Sequence, residues 1–145
     1  MNRHFVSLAG IAALSATLVF ATSATAREPS TAGAEVYIIS PKDGAKVTSP
    51  VTVVFGLKGM GIAPAGVKMD GTGHHHLLID SDPPAELSQP LPANEKTVHF
   101  GKGQTETTVT LPPGKHTLQL VLGDFLHVPH DPAVVSKKIT IEVTK

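Results

Sequence analysis

Residues 72 to 80 read Thr-Gly-His-His-His-Leu-Leu-Ile-Asp, so three consecutive histidines lead directly into an apolar segment. The apolar segment is typical of a buried β-strand, and it places the histidines at the start of a rigid element. They lie in the interior of the sequence, whereas a purification tag would stand at a terminus. Because successive side chains of a strand point to opposite faces, His74 and His76 should share one face and His75 should point to the other.

Around this segment the chain contains seven stretches with the alternation or the β-branched composition of strands, separated by turn residues. No stretch has helical periodicity over ten residues. The pattern predicts an all-β fold, a seven-stranded antiparallel immunoglobulin-like β-sandwich. The predicted strands are residues 36–39, 51–57, 74–80, 97–100, 105–111, 116–122 and 134–143.

A second group of histidines occurs in residues 124 to 131, which read Asp-Phe-Leu-His-Val-Pro-His-Asp and indicate a loop. In an antiparallel sandwich built strand after strand, every second connection lies at the same end. The connections 58–73, 101–104 and 123–132 should therefore meet. His74 begins a strand at that end and His99 finishes one there, so we expect the two histidine groups to converge.

Converging imidazoles suit zinc, copper and nickel, and methionine sulfur adds a preference for copper(I). The sequence therefore predicts a transition-metal site, with copper expected before zinc. Four further residues are expected to surround the ligands. The two acids among them can accept hydrogen bonds from the imidazole rings and so orient them. The predicted ligands are His74, His76, His127 and His130, with Met60 and Met69 as further ligands, and the supporting residues are His75, His99, Asp124 and Asp131.

Two other interpretations of the histidines remain open. They can form a structural network that hydrogen-bonds loop carbonyl groups, and His116, which shares a strand face with leucines, is expected to be structural in any case. The domain can also be a structural or adhesive module that binds protein or glycan, which would require an exposed apolar or aromatic patch. The single tyrosine and the absence of tryptophan weaken glycan binding.

The N-terminal residues have the parts of a secretory signal peptide. A short polar start precedes an apolar stretch, and Ala24-Thr25-Ala26 has the small residues of a cleavage site. We expect residues 1–26 to be a cleaved signal peptide, residues 27–34 a flexible lead-in and residues 35–145 one domain. The protein should then be periplasmic or secreted, with no membrane attachment after cleavage.

Composition narrows the function further. The chain has no cysteine, which excludes disulfides and thiolate metal sites. Its formal net charge is zero and Arg27 is the only arginine after the predicted signal, so a nucleic-acid partner is not expected. It contains no nucleophile elbow, phosphate loop or His-Glu-x-x-His motif, so we expect a binding protein and no enzyme.

The two histidine segments together resemble a family of small exported bacterial proteins classed as a domain of unknown function. That family combines a Gly-His-His-His-Leu-Leu-Ile-Asp strand, here residues 73–80, with a Gly-Asp-x-x-His-x-Pro-His-x-Pro segment, here residues 123–132. The resemblance covers residues 36–143, and this chain departs from it in having Pro132-Ala133 where the family has two prolines. Residues 39–53 also resemble the opening of bacterial immunoglobulin-like modules. The resemblance implies the fold and export, and it implies no chemistry.

Overall fold

The computed structural model describes residues 26–145. In that range the regular secondary structure consists of β-strands, so the all-β prediction is confirmed. The predicted signal peptide, apart from its last residue, lies outside the described residues. No helix in the described range has the length and apolarity to cross a membrane. The strands are β1 (Glu35–Ser40), β2 (Lys46–Thr48), β3 (Val51–Lys58), β4 (Gly61–Ile62), β5 (Thr72–Ile79), β6 (Thr97–His99), β7 (Glu106–Val109), β8 (Gly114–Gly123) and β9 (Ile139–Thr144).

The strands form two sheets. The smaller sheet has the order β1-β3-β7 and is antiparallel throughout. The larger sheet has the order β2-β9-β8-β5-β4, and β6 also pairs with β5. One edge of β5 is therefore paired with β8, while its other edge is shared by β4 at its first residues and β6 further along.

The prediction of seven strands, all antiparallel, is wrong in both respects. The described residues form nine strands, and β2 with β9 and β4 with β5 pair in parallel. β2 and β4 have only three and two residues, and they follow a turn sequence and lie in a glycine-rich connection, respectively, so the sequence pattern missed them. The last predicted strand also began too early, because the backbone of residues 134–138 pairs with β8 through one isolated bridge between Val121 and Val135 and forms no continuous ladder.

The main hydrophobic core lies between the two sheets, where alternate residues of each strand meet. β3 contributes Val53 and Phe55 from the smaller sheet, and β8 contributes Leu118 and Leu120 from the larger one. These four side chains are at most 3 % exposed. Alternation along β8, noticed in the sequence, thus corresponds to the face that the larger sheet turns toward the smaller one.

A second, smaller core covers the opposite face of the larger sheet. Leu78 of β5 and Val121 of β8 pack there with Leu91, which belongs to the proline-rich connection between β5 and β6. The backbone N–H of Leu91 also donates to the carbonyl oxygen of His127 at 2.9 Å. Two long connections therefore lie over this outer face of β5, and they create a sheltered space above a surface that would otherwise meet water.

The segment predicted as a flexible lead-in is hydrogen-bonded to the loop before β9. Pro29 forms a parallel bridge with Asp131. The N–H of Asp131 donates to the carbonyl oxygen of Glu28 at 2.9 Å, and the N–H of Ser30 donates to the carbonyl oxygen of Asp131 at 3.2 Å. The backbone at residues 28–30 thus has defined hydrogen-bond partners, which a freely solvated segment lacks.

Candidate metal centre

The three consecutive histidines divide between the two faces of β5, as the alternation predicted. His75 points toward the main core, where its ring lies 5.1 Å from that of Phe55. His74 and His76 point to the outer face, on the side that carries Leu78. All three histidines are at most 1 % exposed. One strand therefore supplies two histidines to the sheltered outer face and a third to the interior between the sheets.

Four histidine rings meet on that outer face. His76 is the Cα partner of His99 across the antiparallel β5–β6 pair, so their side chains stand beside each other. His127 reaches the same place from the loop after β8. The six centroid distances among the four rings run from 4.6 to 5.9 Å. We call this group, which comprises His74, His76, His99 and His127, the histidine cluster.

Three members of the cluster are arranged so that they could share one metal ion. His74, His99 and His127 each offer a ring nitrogen, and these atoms lie within 4.8 Å of one another. The Nε2 atoms of His74 and His99 are 3.2 Å apart. Nitrogens bound at about 2.1 Å in a tetrahedral site are about 3.4 Å apart, so small side-chain rotations bring all three to an ion.

The cluster is electrically suited to a cation. Burial, reinforced by His127 and His99, lowers the pKa of His74 to about 4. Burial and the neighbouring histidines lower the pKa of His76 to about 3, and burial followed by His127 lowers the pKa of His99. These three rings, of His74, His76 and His99, are therefore neutral near pH 7 and present lone pairs. Nδ1 of His74 and both ring nitrogens of His76 are buried without a hydrogen-bond partner, which is costly for polar atoms.

The loop residue of the cluster has an unusual backbone. His127 has φ of 70°, in the left-handed region that residues with a Cβ seldom adopt. Its N–H donates to the carbonyl oxygen of Asp124 at 2.9 Å, and Oδ1 of Asp124 accepts from the N–H groups of Leu126 and Val128. A tight turn built by Asp124 thus holds His127 in a strained conformation that directs its ring to the cluster.

Two glycines make room for the cluster. A Cβ on Gly101 would stand 2.7 Å from Nε2 of His99 and still closer to its Cε1. A Cβ on Gly123 would stand 2.7 Å from Cε1 of His76. Non-bonded carbon and nitrogen atoms do not approach so closely, so both rings pack directly against glycine backbone, and any larger residue at either position would displace a histidine.

His130, predicted as a ligand, is not among the four rings in mutual contact, although it lies near His74 and has a buried Nδ1 without a hydrogen-bond partner. It is 1 % exposed, and its Nε2 donates to the carbonyl oxygen of Thr72 at 3.1 Å. A Cβ on Gly73 would stand 2.9 Å from Cε1 of His130, so this ring packs directly against glycine backbone. The six ring-to-ring distances given above all join the other four histidines. The structure therefore gives His130 a role in fixing the loop to the start of β5.

The methionines and acids predicted to take part have other contacts. Met60 packs against the main core, on the opposite side of β5 from the cluster, and Met69 is 62 % exposed. Asp124 supports the turn described above, and Asp131 forms an ion pair with Arg27 at 3.7 Å. His75, the remaining supporting candidate, faces the interior. His99, expected only to support the ligands, instead stands among them.

His116 lies at the far end of β8 and has the structural role expected of it. Its Nδ1 is 2.7 Å from Oδ2 of Asp80, and its Nε2 is 2.8 Å from the carbonyl oxygen of Pro112. Seven residues of strand separate it from Gly123, about 23 Å along the strand. The hydrogen bond to Asp80 raises the pKa of His116 above its ordinary value. Because both nitrogens face acceptors, this histidine has no lone pair to offer a metal.

Comparisons with known proteins agree with the resemblance noted in the sequence. No curated protein and no solved structure matches the chain. The model of one family, Domain of unknown function (DUF4399), matches residues 53–144, a range that includes β5, β6 and the loop that carries His127. Because this match covers more than half of the sequence, the chain belongs to the DUF4399 family.

Proposed function

We propose that this protein binds a divalent transition-metal ion through His74, His99 and His127, with His76 as the fourth imidazole. The observation that supports the proposal is the convergence of these rings on a sheltered face with three buried nitrogens that have no partner. Buried polar atoms are normally paired, and a metal ion is a partner that several neutral imidazoles can share.

The donor set favours copper(II), then zinc. Imidazole nitrogen suits both ions, whereas copper(I) is favoured by sulfur ligands. Met60 packs in the main core and Met69 is largely exposed, so the sulfur preference that the sequence suggested has no support in the cluster. Nitrogen-only ligation also gives copper(II) its tetragonal sites, and four imidazoles can supply that geometry after modest rotation.

We further propose that the protein is exported and acts by binding, without catalysis. Export is supported by the N-terminal sequence, which has the polar start, apolar stretch and small-residue cleavage site of a signal peptide. Two sheets packed around one core also fit the immunoglobulin-like sandwich inferred from the sequence. The physiological partner is then the metal ion or an exported protein that exchanges it.

The test is a titration of the metal-stripped protein with copper(II) and with zinc, followed by calorimetry and thermal unfolding. A hundredfold excess over Kd should stabilise the folded state by about 2.7 kcal/mol and raise Tm by about 10 °C. His99→Ala should abolish the rise. His116→Gln is the matched control, because it also removes one histidine but one whose nitrogens are both paired.

A structural histidine network is the alternative. It predicts that neither metal changes Tm and that His99→Ala lowers the stability of the metal-free protein, because the contact between His74 and His99 is lost. A protein-binding module is the other alternative, and exposed Met69 and Leu126 near the same loops favour it. That reading predicts no metal response and an unchanged stability in His99→Ala.

A further inference from the structure

Residues 27–30, which we call the strap, run alongside the loop that carries His127. Besides the backbone pairing of Pro29 with Asp131, the strap makes its closest side-chain contacts through Arg27. Nε of Arg27 donates to the carbonyl oxygen of Pro129 at 2.9 Å, and Nη2 donates to the carbonyl oxygen of His130. One guanidinium thus holds two successive carbonyl groups of the loop, an arrangement that its rigid planar fork of donors favours.

The same guanidinium pairs with the carboxylate of Asp131 at 3.7 Å, and the side chain of Arg27 is only 19 % exposed. A second link runs through Glu28, whose carboxylate is 2.8 Å from Nζ of Lys68. That ammonium lies 5.1 Å from the ring centroid of Phe125, in the same loop. The strap therefore contacts the loop directly after His127, at residues 129–131, and is linked through Lys68 to Phe125 before it.

These contacts converge on the base of the turn that orients His127. Pro129 bridges back to Gly123, and the N–H of Asp124 donates to the carbonyl oxygen of Val128 at 2.8 Å. Residues 124–128 are thus closed at their base by the residue that Arg27 holds. Because His127 keeps a strained φ of 70°, the loop needs outside contacts to maintain that conformation.

We propose that Arg27 is a positioning residue for the metal centre. It fixes the carbonyl groups of Pro129 and His130, and through them it keeps the ring of His127 against those of His74 and His99. This inference rests on the proposed metal binding. Removal of groups that orient metal ligands typically weakens metal affinity by 10-fold to 100-fold.

The experiment compares the exported protein with Arg27→Ala, Arg27→Lys and a control, Lys46→Ala. Lys46 also forms an ion pair, with Glu142 at 3.7 Å, but on β2 and away from the loop. Each protein is titrated with copper(II), the visible and electron-paramagnetic spectra of the copper form are recorded, and amide hydrogen exchange of residues 124–128 is measured in the metal-free state.

We expect Arg27→Ala to weaken copper affinity by at least about tenfold, to change the copper spectra and to speed the exchange of the amides of residues 127 and 128. Lysine should restore part of the affinity, because its ammonium keeps the charge but lacks the rigid fork that matches two successive carbonyl groups. The control should match the parent in all three measurements.

The inference is overturned if Arg27→Ala binds copper as tightly as the parent does. It is also overturned if Lys46→Ala loses as much copper affinity as Arg27→Ala. If the parent itself binds no copper, the proposed function fails. The hydrogen-exchange measurement then tests by itself whether Arg27 holds the loop. In that case, unchanged exchange in Arg27→Ala shows that Arg27 does not hold the loop.

Discussion

Burial of His75 should make the protein lose stability in acid, and the size of the loss follows from its surroundings. The side chain is 1 % exposed, it packs against Phe55 in the main core, and neither ring nitrogen has a hydrogen-bond partner. This burial lowers the pKa of His75 to about 4. In the unfolded chain a histidine has a pKa of about 6.5.

The sign follows from these two pKa values. Since the pKa is lower in the folded state, the unfolded chain takes up a proton between pH 6.5 and 4 that folded His75 refuses. Stability is therefore full above pH 6.5 and falls below it. Linkage for these two values gives a loss of about 2 kcal/mol at pH 5 and about 3 kcal/mol at and below pH 4.

Replacement of His75 by leucine, which has a similar volume, isolates this effect. Urea unfolding of the metal-stripped parent and of His75→Leu, each at pH 7.5 and pH 5.0, gives four free energies of unfolding. The loss on going to pH 5.0 should be about 2 kcal/mol smaller in the variant, because the remaining histidines contribute nearly equally in both proteins; His75 is only a lesser cause of the lowered pKa of His74, after burial, His127 and His99. At pH 7.5 the variant should be as stable as the parent or more stable, because two unpaired buried nitrogens are gone.

An equal loss in both proteins, within about 0.5 kcal/mol, would refute the reasoning, since the two pKa values require a difference of about 2 kcal/mol. A variant much less stable at pH 7.5 would also contradict it, because that result would require His75 to make a favourable polar contact in the core. The urea m-value should agree between the proteins, so that the denatured states are comparable.

Three further predictions follow from the same structure. Gly101→Ala should displace His99 and so weaken copper binding, measured by calorimetry, at least about tenfold. Gly61→Ala is the control and should bind copper as the parent does, because its Cβ would meet only a methyl group at 3.4 Å. His127→Gly should lose the copper-induced rise in Tm while the metal-free Tm does not fall, because glycine relieves about 1 kcal/mol of left-handed strain. His116→Gln should remove a stabilisation that is present below pH 6.5 and is lost as pH rises through the raised pKa, which urea unfolding at pH 6 and pH 8 will detect.

Much of the fold could be predicted because it depends on local alternation. β3, β5 and β8 appear in the sequence at nearly their true bounds, and the division of the three histidines between two faces follows from the period of a strand. The short strands β2 and β4 could not be predicted, because they follow a turn or lie in a glycine-rich connection and form only by pairing in parallel with β9 and β5.

The candidate site could be predicted in part. The convergence of His74 and His76 with His127 followed from which connections share an end of the sandwich. The place of His99 among them depends on the register between β5 and β6, which a sequence without pairing information does not reveal. His130 is not among the four rings in mutual contact, because two histidines of one loop, three residues apart, need not point the same way when one of them, His127, has a left-handed backbone.

The histidine cluster lies on the outer face of the larger sheet, so its residues take little part in the packing between the two sheets. The four cluster histidines lie on the face of β5 and β6 that carries the small core of Leu78, Leu91 and Val121, whereas Leu77 and Phe100 on the other face belong to the main core. Substitution of a cluster histidine therefore disturbs a limited set of neighbours and leaves the packing between the sheets intact. His75 is the exception among the three consecutive histidines, since it belongs to the interior. A loss of metal binding in a cluster variant can thus be assigned to lost ligands, provided that its metal-free unfolding matches that of the parent.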